Sequence, residues 1–209
     1  MKLKFTKMEG IGNDYIYFDC FDEYTRNSIK NPSELSKRLS DRHFGIGGDG
    51  IILILPGNSN EGYDCQMRMF NADGSESEMC GNGIRCVVKL VYDKGLVYKK
   101  NISVKTGRGI LKLDLFVDEK TDTVSKVRVN MGEPILEGRN IPINIDKNPV
   151  INQKLYIDGK EFEFTSVSMG NPHCIIFVDK ITDDMIFNIG PKIEQHPLFP
   201  KKVNVEFIE

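Results

Sequence analysis

The 209-residue chain has a formal net charge of −2, with 28% charged and 40% hydrophobic residues. That length supports one large domain or two smaller ones with real cores, and the near-neutral balance favours neither nucleic acid nor an anionic membrane surface as a partner. No apolar run reaches membrane-spanning length, the N-terminus turns polar too soon for a signal peptide, and five cysteines without a Cys-x-x-Cys pair argue against a disulfide framework or a zinc site, so a reduced, cytoplasmic protein without metal is expected.

Residues 3–8 and 14–20 read as two short strands. Glu9-Gly10-Ile11-Gly12-Asn13 lies between them and suits a tight connection with positive φ, in which Asn13 taken alone is a turn residue. Residues 31–42 predict a helix, with Asn31 as N-cap, Pro32 at the first helical position and Glu34 closing a capping box. Gly45-Ile46-Gly47-Gly48-Asp49-Gly50 matches the dinucleotide pattern G-x-G-x-x-G letter for letter. That fingerprint follows a strand and opens a helix, whereas here a helix precedes and the strand 51–55 follows, so a nucleotide cofactor is rejected.

A loop over 56–62 leads to an alternating strand over 65–70, which delivers Asn71 at its end. Asn71 and Asp73 could be turn-formers only, but they lie just upstream of Cys80-Gly81-Asn82-Gly83. That glycine-punctuated turn opens into a helical run, Ile84, Val87, Val88, Val91 and Tyr92, with Gly95 placed as a left-handed C-terminal cap. The unpaired N–H groups and positive dipole end of such a helix stabilise a thiolate on Cys80 and also bind a carboxylate. Most free cysteines are small buried hydrophobes; the flanking glycines, which let a ligand approach the backbone, favour a functional Cys80.

Residues 102–105, 110–117 and 124–130 read as strands, with a solvated turn over 118–123. The irregular stretch 132–149, with Pro134, Pro142 and Pro149, is the candidate passage between domains. The boundary is expected anywhere from about 107 to 150 and is drawn at 117/118, giving an N-terminal domain over 1–117 that carries Cys80 and a partial C-terminal domain over 118–209. Residues 161–168 and 174–179 form another strand pair joined through Gly170-Asn171-Pro172-His173. Residues 182–196 are weakly helical and interrupted by Gly190-Pro191, and 203–208 alternate as a final strand.

The two strand-pair connections resemble each other. Phe5-Thr6 leads to Gly12-Asn13 and an apolar strand, and Phe164-Thr165 leads to Gly170-Asn171 and another. More loosely, Asn71 at a strand end corresponds to Asn204 in the last strand. Two copies of one β-rich unit are implied, each supplying asparagines to a shared site, and the helix-opening cysteine loop of the second copy has no counterpart before Glu209. Two thiols on opposite faces of a bound amino acid would invert a stereocentre without a cofactor, one removing the α-proton and the other delivering one. A positioned base supplies about 10²–10⁴-fold in rate, and the rest comes from holding the carboxylate on helix N-termini and excluding water.

Gly12-Asn13-Asp14, Phe44 to Gly50, Phe70 to Glu76, Met79 to Cys86, Gly170-Asn171-Pro172-His173 and Val203 to Phe207 together resemble diaminopimelate epimerase, in family order across the chain. The resemblance implies an α+β fold of two pseudo-symmetric domains, each a mixed β-sheet curled around a central helix, with the second incomplete here. It implies cofactor-free interconversion of LL- and meso-diaminopimelate, a step toward lysine and peptidoglycan, in a homodimer. Cys80 is then one of two acid/base thiols, and His173 lies close enough to affect thiol ionisation, although a lone histidine is more often structural. Gly81 and Asn82 give backbone contacts to the substrate carboxylate, while Asn13, Asn71, Asn171 and Asn204 hold its polar groups. Gly50 stands where some members have a substrate-contacting glutamine. The family's Glu-Arg pair and its Ala-Cys-Gly-Thr-Gly loop are not found, and Cys174 reads as core, so the isolated chain is expected to be inactive in stereoinversion. Other readings are a racemase or isomerase of another substrate on the same fold, of the proline or phenazine-biosynthesis type, and a non-catalytic amino-acid-binding remnant.

Overall fold

Consecutive apolar residues in the N-terminal strands build a sheet buried on both faces. Residues 2–209 are described by the computed structural model. Thr6–Gly10 (β1) and Asn13–Asp19 (β2) form an antiparallel hairpin. Its turn is only Ile11-Gly12, both with positive φ (51° and 83°), a geometry whose twist matches the flanking strands. Glu9, Gly10 and Asn13 are therefore strand residues, not part of a longer connection.

A short helix, Glu23–Ser28 (α1), is capped by the Asp22 carboxylate, which accepts from the Thr25 N–H at 2.9 Å. Pro32–Ser40 (α2) starts as the sequence predicts, the Asn31 side chain accepting from the Glu34 N–H at 3.1 Å. Gly50–Asn58 (β3), Tyr63–Asn71 (β4) and Glu76–Ser77 (β5) then lead to Gly81–Asp93 (α3), which ends at Gly95 with a left-handed φ of 68°. Asn101–Thr106 (β6), Gly109–Asp118 (β7) and Thr123–Val129 (β8) follow. The strand order is β1-β2-β3-β4-β6-β7-β8, with β5 beside β4; β2/β3 and β4/β6 are parallel and the other pairs antiparallel. Because α3 touches β1 and β2 at one end of this order and β7 and β8 at the other, the sheet curls around it.

Alternate residues of β2, β3 and β4 serve different helices. Tyr15, Tyr17, Ile52, Ile54, Cys65, Met67 and Met69 pack with Ile84, Val87, Val88 and Val91 of α3. Ile16, Phe18, Ile51, Leu53 and Phe70 take the other face, against Leu35 and Leu39 of α2. The two glycines in the first turn of α3 cost about 1 kcal/mol each in helix propensity, whereas each buried branched side chain contributes roughly 1.5–3 kcal/mol. Burial therefore decides that this segment is helical.

The chain packs as two units, Met1–Met131 and Gly132–Glu209. The β7/β8 hairpin pairs Val117 with Val124 and Asp118 with Thr123, so a division drawn at 117/118 would cut a strand pair; the units part at 131/132, inside the expected range of about 107 to 150.

The second unit begins with the irregular stretch expected to link domains. Ile141, Ile143 and Val150 are instead part of its core, and Ile135 bridges to Ser168. Gln153–Ile157 (β9), Lys160–Ser168 (β10), Pro172–Phe177 (β11) and Asn204–Ile208 (β12) form a sheet in the order β12-β11-β10-β9, with β11 and β12 parallel. A π-helical turn over Met185–Ile189 runs directly into Gly190–Glu194 (α4). Gly190-Pro191 does not interrupt the helix as expected: the chain stays helical from the π-helical turn into α4, and Ile189 and Ile193 carry the buried face across the junction. Among the described residues no helix is long and apolar enough to cross a membrane.

The repeat seen in the sequence is present as topology. β1-β2-α2-β3 and β10-β11-α4-β12 are each an antiparallel hairpin, then a helix, then a strand parallel to the hairpin's second strand. Tyr15 pairs with Gly50 and His173 with Asn204, so Asn13 corresponds to Asn171, Tyr15 to His173 and Gly50 to Asn204. The looser match of Asn71 with Asn204 is thereby corrected: Asn71 ends β4, a strand antiparallel to β3. The counterparts of β4 and α3 are not among these 209 residues, and the second unit's sheet has no central helix among the described residues.

Candidate active site

Cys80 is the N-cap of α3. Its backbone is extended (φ −133°, ψ 116°) and its Sγ accepts from the Gly83 N–H at 3.3 Å, while its carbonyl accepts from Ile84 N–H at 2.9 Å. The N–H groups of Gly81 and Asn82, first in the helix, have no intrahelical acceptor and point outward from the same end. Gly83 is required by packing: a Cβ there would stand 2.9 Å from Ile52 Cδ1. A Cβ on Gly81 would meet nothing but the end of Met131, at 3.4 Å, so that backbone is open.

The remaining thiols are buried. Burial pushes Cys20 up to about 11 and Cys65 and Cys174 up to about 12, and it raises Cys86 as well. Cys80 is the one cysteine of intermediate exposure. Tyr15 is buried on the face that α3 covers, and burial first, then the neighbouring Cys80, push its phenol well above its usual pKa. Tyr17 donates to the Gly83 carbonyl at 3.3 Å and ties β2 to the first turn of α3.

Asn13 and Asn82 meet directly. Asn82 Nδ2 donates to Asn13 Oδ1 at 2.7 Å, and Arg85 donates to Asn82 Oδ1 at 2.6 Å. Asn13 Nδ2 in turn donates to Asp49 Oδ2 at 3.2 Å, which also accepts from the Asp14 N–H at 3.1 Å. Arg42 bridges Asp49 (2.9 Å) and Asp14 (2.7 Å), and Lys7 pairs with Asp14 at 2.8 Å. Arg42 foremost, with Lys7, lowers Asp14 to about 2. The glycine-rich segment 45–50 thus ends in the carboxylate that orients Asn13.

Asn71 occupies the same row as Tyr15 and Gly50, one residue from each of three adjacent strands, on the face that α3 covers. Its Nδ2 donates to Ser75 Oγ at 3.0 Å. A Cβ at Gly50 would sit 2.0 Å from the Phe70 carbonyl oxygen, so β4 passes too close for any side chain with this backbone.

In the second unit Asn171, His173 and Asn204 come together at the start of β11 and β12. His173 Nε2 lies 3.2 Å from Asn171 Oδ1, and Asn204 Nδ2 donates to the Pro172 carbonyl at 3.1 Å. His173 Nδ1 lies 2.6 Å from Glu206 Oε1. Cys174 points into the core, as the sequence predicts. Each unit therefore gathers its own expected residues: Asn13, Asn71, Cys80, Gly81 and Asn82 at the N-terminal end of α3, and Asn171, His173 and Asn204 at one sheet end. Tyr15, Asp49 and Glu206 were not singled out from the sequence. Tyr15 and Glu206 each follow a named asparagine by two residues, the spacing of one strand face. Among the described residues no cluster of three or more His, Cys, Asp or Glu side chains is arranged to hold a metal ion.

The family model described as diaminopimelate epimerase matches residues 5–137 and 165–209. The diaminopimelate epimerase of Acetivibrio thermocellus is 53% identical over 207 residues, covering 99% of this chain and 71% of that protein. That of Leptospira biflexa is 54% identical over 212 residues, covering all of this chain and 72% of that protein. Among solved structures, a probable proline racemase from Agrobacterium radiobacter K84 matches with a TM-score of 0.66 at 13% identity, over 99% of this chain and 66% of the other; at that identity the likeness concerns the fold.

Proposed function

This chain belongs to the diaminopimelate epimerase family and is by that membership an isomerase, and we propose that Cys80 is one of the two acid/base thiols of the family's interconversion of LL- and meso-diaminopimelate. The observation that carries the assignment is the capping position of Cys80: of five thiols it alone is not buried, and its sulfur faces a helix N-terminus. As thiolate it would take the α-proton onto Sγ while the electron pair left on the α-carbon delocalises into the α-carboxylate. In the reverse direction the protonated sulfur would return a proton to that carbon, the other face being served by a second acid.

The N–H groups of Gly81 and Asn82 would receive the carboxylate, where the positive end of α3 favours the growing negative charge. Asn13, Asn71, Asn171 and Asn204 would hold the amino and distal groups, since an amide donates and accepts without altering the site's charge. Asp49, Arg42 and Arg85 hold the orientation of Asn13 and Asn82 in advance of binding. His173 is assigned to proton traffic on the strength of the family resemblance. Cofactor independence, cytoplasmic action and a homodimeric state belong to the same proposal and are carried over from the family.

The test follows deuterium and alkylation together. Diaminopimelate is expected to protect Cys80 of the 209-residue protein from iodoacetamide, and deuterium from heavy water is expected to enter the α-carbon with the wild type and not with Cys80→Ala. Exchange by Cys80→Ala at the wild-type rate overturns the assignment of Cys80. Protection without exchange leaves an amino-acid-binding site and removes the catalytic part. The 209-residue polypeptide by itself, with one capping thiol, is expected not to invert the centre; racemisation of LL-diaminopimelate by it would refute that.

A further inference from the structure

Glu206 presents one carboxylate oxygen, Oε1, to His173 Nδ1 at 2.6 Å, while Oε2 is buried without a hydrogen-bond partner among the described residues. A buried carboxylate oxygen with no donor is costly unless a compensating charge or proton stands beside it. The register of β11 and β12 produces the pair. His173 pairs with Asn204, and Cys174, Ile176, Val205 and Phe207 pack in the core, so His173, Asn204 and Glu206 share the opposite face. On the far side of the imidazole, Nε2 lies 3.2 Å from Asn171 Oδ1.

We propose that Glu206 is a positioning residue for His173: its carboxylate keeps the proton on Nδ1 and leaves Nε2, beside Asn171, as the nitrogen that gains and loses a proton. An ionised carboxylate can only accept, so Nδ1 must donate. The Asn171 amide serves both states of Nε2, its oxygen accepting from a protonated nitrogen and its N–H, once the amide is turned over, donating to a bare one.

The repeat supplies an independent argument. The position of His173 is filled in the first unit by Tyr15, and the position of Glu206 is filled there by Ile52. A phenol carries its proton on one atom and needs no second group to choose it, so an apolar neighbour suffices. An imidazole has two nitrogens, and the neighbouring strand position is there a carboxylate.

The inference rests on the reading of His173 as a site residue, and the two are separable by nitrogen-15 NMR of the histidine-labelled 209-residue protein. At a pH where the ring is neutral, wild-type His173 is expected to show the Nδ1–H tautomer with a bare Nε2. Glu206→Leu is expected to switch it to predominantly Nε2–H, and Glu206→Gln, which keeps an acceptor oxygen, to retain Nδ1–H. An Nε2–H ring in the wild type overturns the proposal even if the leucine variant fails to fold, and so does an unchanged Nδ1–H ring in a folded Glu206→Leu protein. Diaminopimelate is then added to the wild type. If the tautomer results hold but the His173 nitrogens do not move at saturation, the placement of His173 in the substrate site falls while its pairing with Glu206 stands.

Discussion

Tyr15 and His173 hold the same position in two copies of one strand arrangement, each two residues after an asparagine and each paired with the first residue or residues of the following parallel strand, Gly50 and Asn204. In the first copy the consequence is a buried phenol whose ionisation the nearby Cys80 opposes. Tyr15→Phe removes the donor and leaves the ring in its buried place. The expected result is slower alkylation of Cys80 at neutral pH by about three- to tenfold, from the loss of roughly 0.5–1.5 kcal/mol of hydrogen bonding to the thiolate, with little change in thermal stability. Unchanged alkylation kinetics, followed by mass spectrometry, would show that the hydroxyl does not engage the sulfur.

Cys80 has two duties that a single substitution separates. As a helix cap it is a weak acceptor, with Sγ 3.3 Å from the Gly83 N–H. Cys80→Ser places a better capping oxygen at that position and is expected to raise stability by about 0.5–1 kcal/mol while abolishing α-proton exchange. Denaturant midpoints and deuterium incorporation measured on one preparation should move in opposite directions; a serine variant less stable than wild type would refute the capping part.

Asp14 gives the first unit an acid-side dependence. Its folded pKa is lowered from 3.8 to about 2, chiefly by Arg42 and then by Lys7. A depressed carboxylate contributes stability above its unfolded pKa and loses that contribution as pH falls through the folded value. The wild-type thermal midpoint is therefore expected to exceed that of Asp14→Asn by its full margin above about pH 4, with the margin closing toward pH 2. Parallel curves across that range would exclude the ion pairs as its source.

Gly50 is fixed by the carbonyl of Phe70, which leaves no room for a Cβ. Gly50→Ala is expected to cost about 3 kcal/mol or more, because backbone rather than a flexible side chain must yield. A loss below about 1 kcal/mol in urea unfolding would mean that β3 and β4 part easily at this row.

The first unit's site is largely legible from sequence because its signals are local. The spacing of Ile84, Val87, Val88 and Val91, the stop at Gly95 and the glycines after Cys80 all lie in one segment and define α3 with its thiol. The partners Tyr15, Asp49 and Glu206 are not legible in that way. Each acts on a residue of another element, and the register that joins them is a property of strand pairing rather than of any one stretch. The repeat was visible through Gly12-Asn13 and Gly170-Asn171, yet matching its later part needed the topology, since Asn71 and Asn204 look alike as letters and lie on strands of opposite direction. α1 and β9 escape notice because six and five residues hold too little periodicity to register.

The enclosure of α3 has a mechanical consequence. Thirteen residues make a rod about 20 Å long, gripped by both ends of a curled sheet and tied at the tip that bears Cys80 by Tyr17 to Gly83 and by Asn82 to Asn13. So held, the rod has little room to slide or turn, and the packing of Leu90 and Val91, three turns from the sulfur, helps to fix where the sulfur sits. The side chains that never meet substrate would then act as the adjusting screw of the reactive atom.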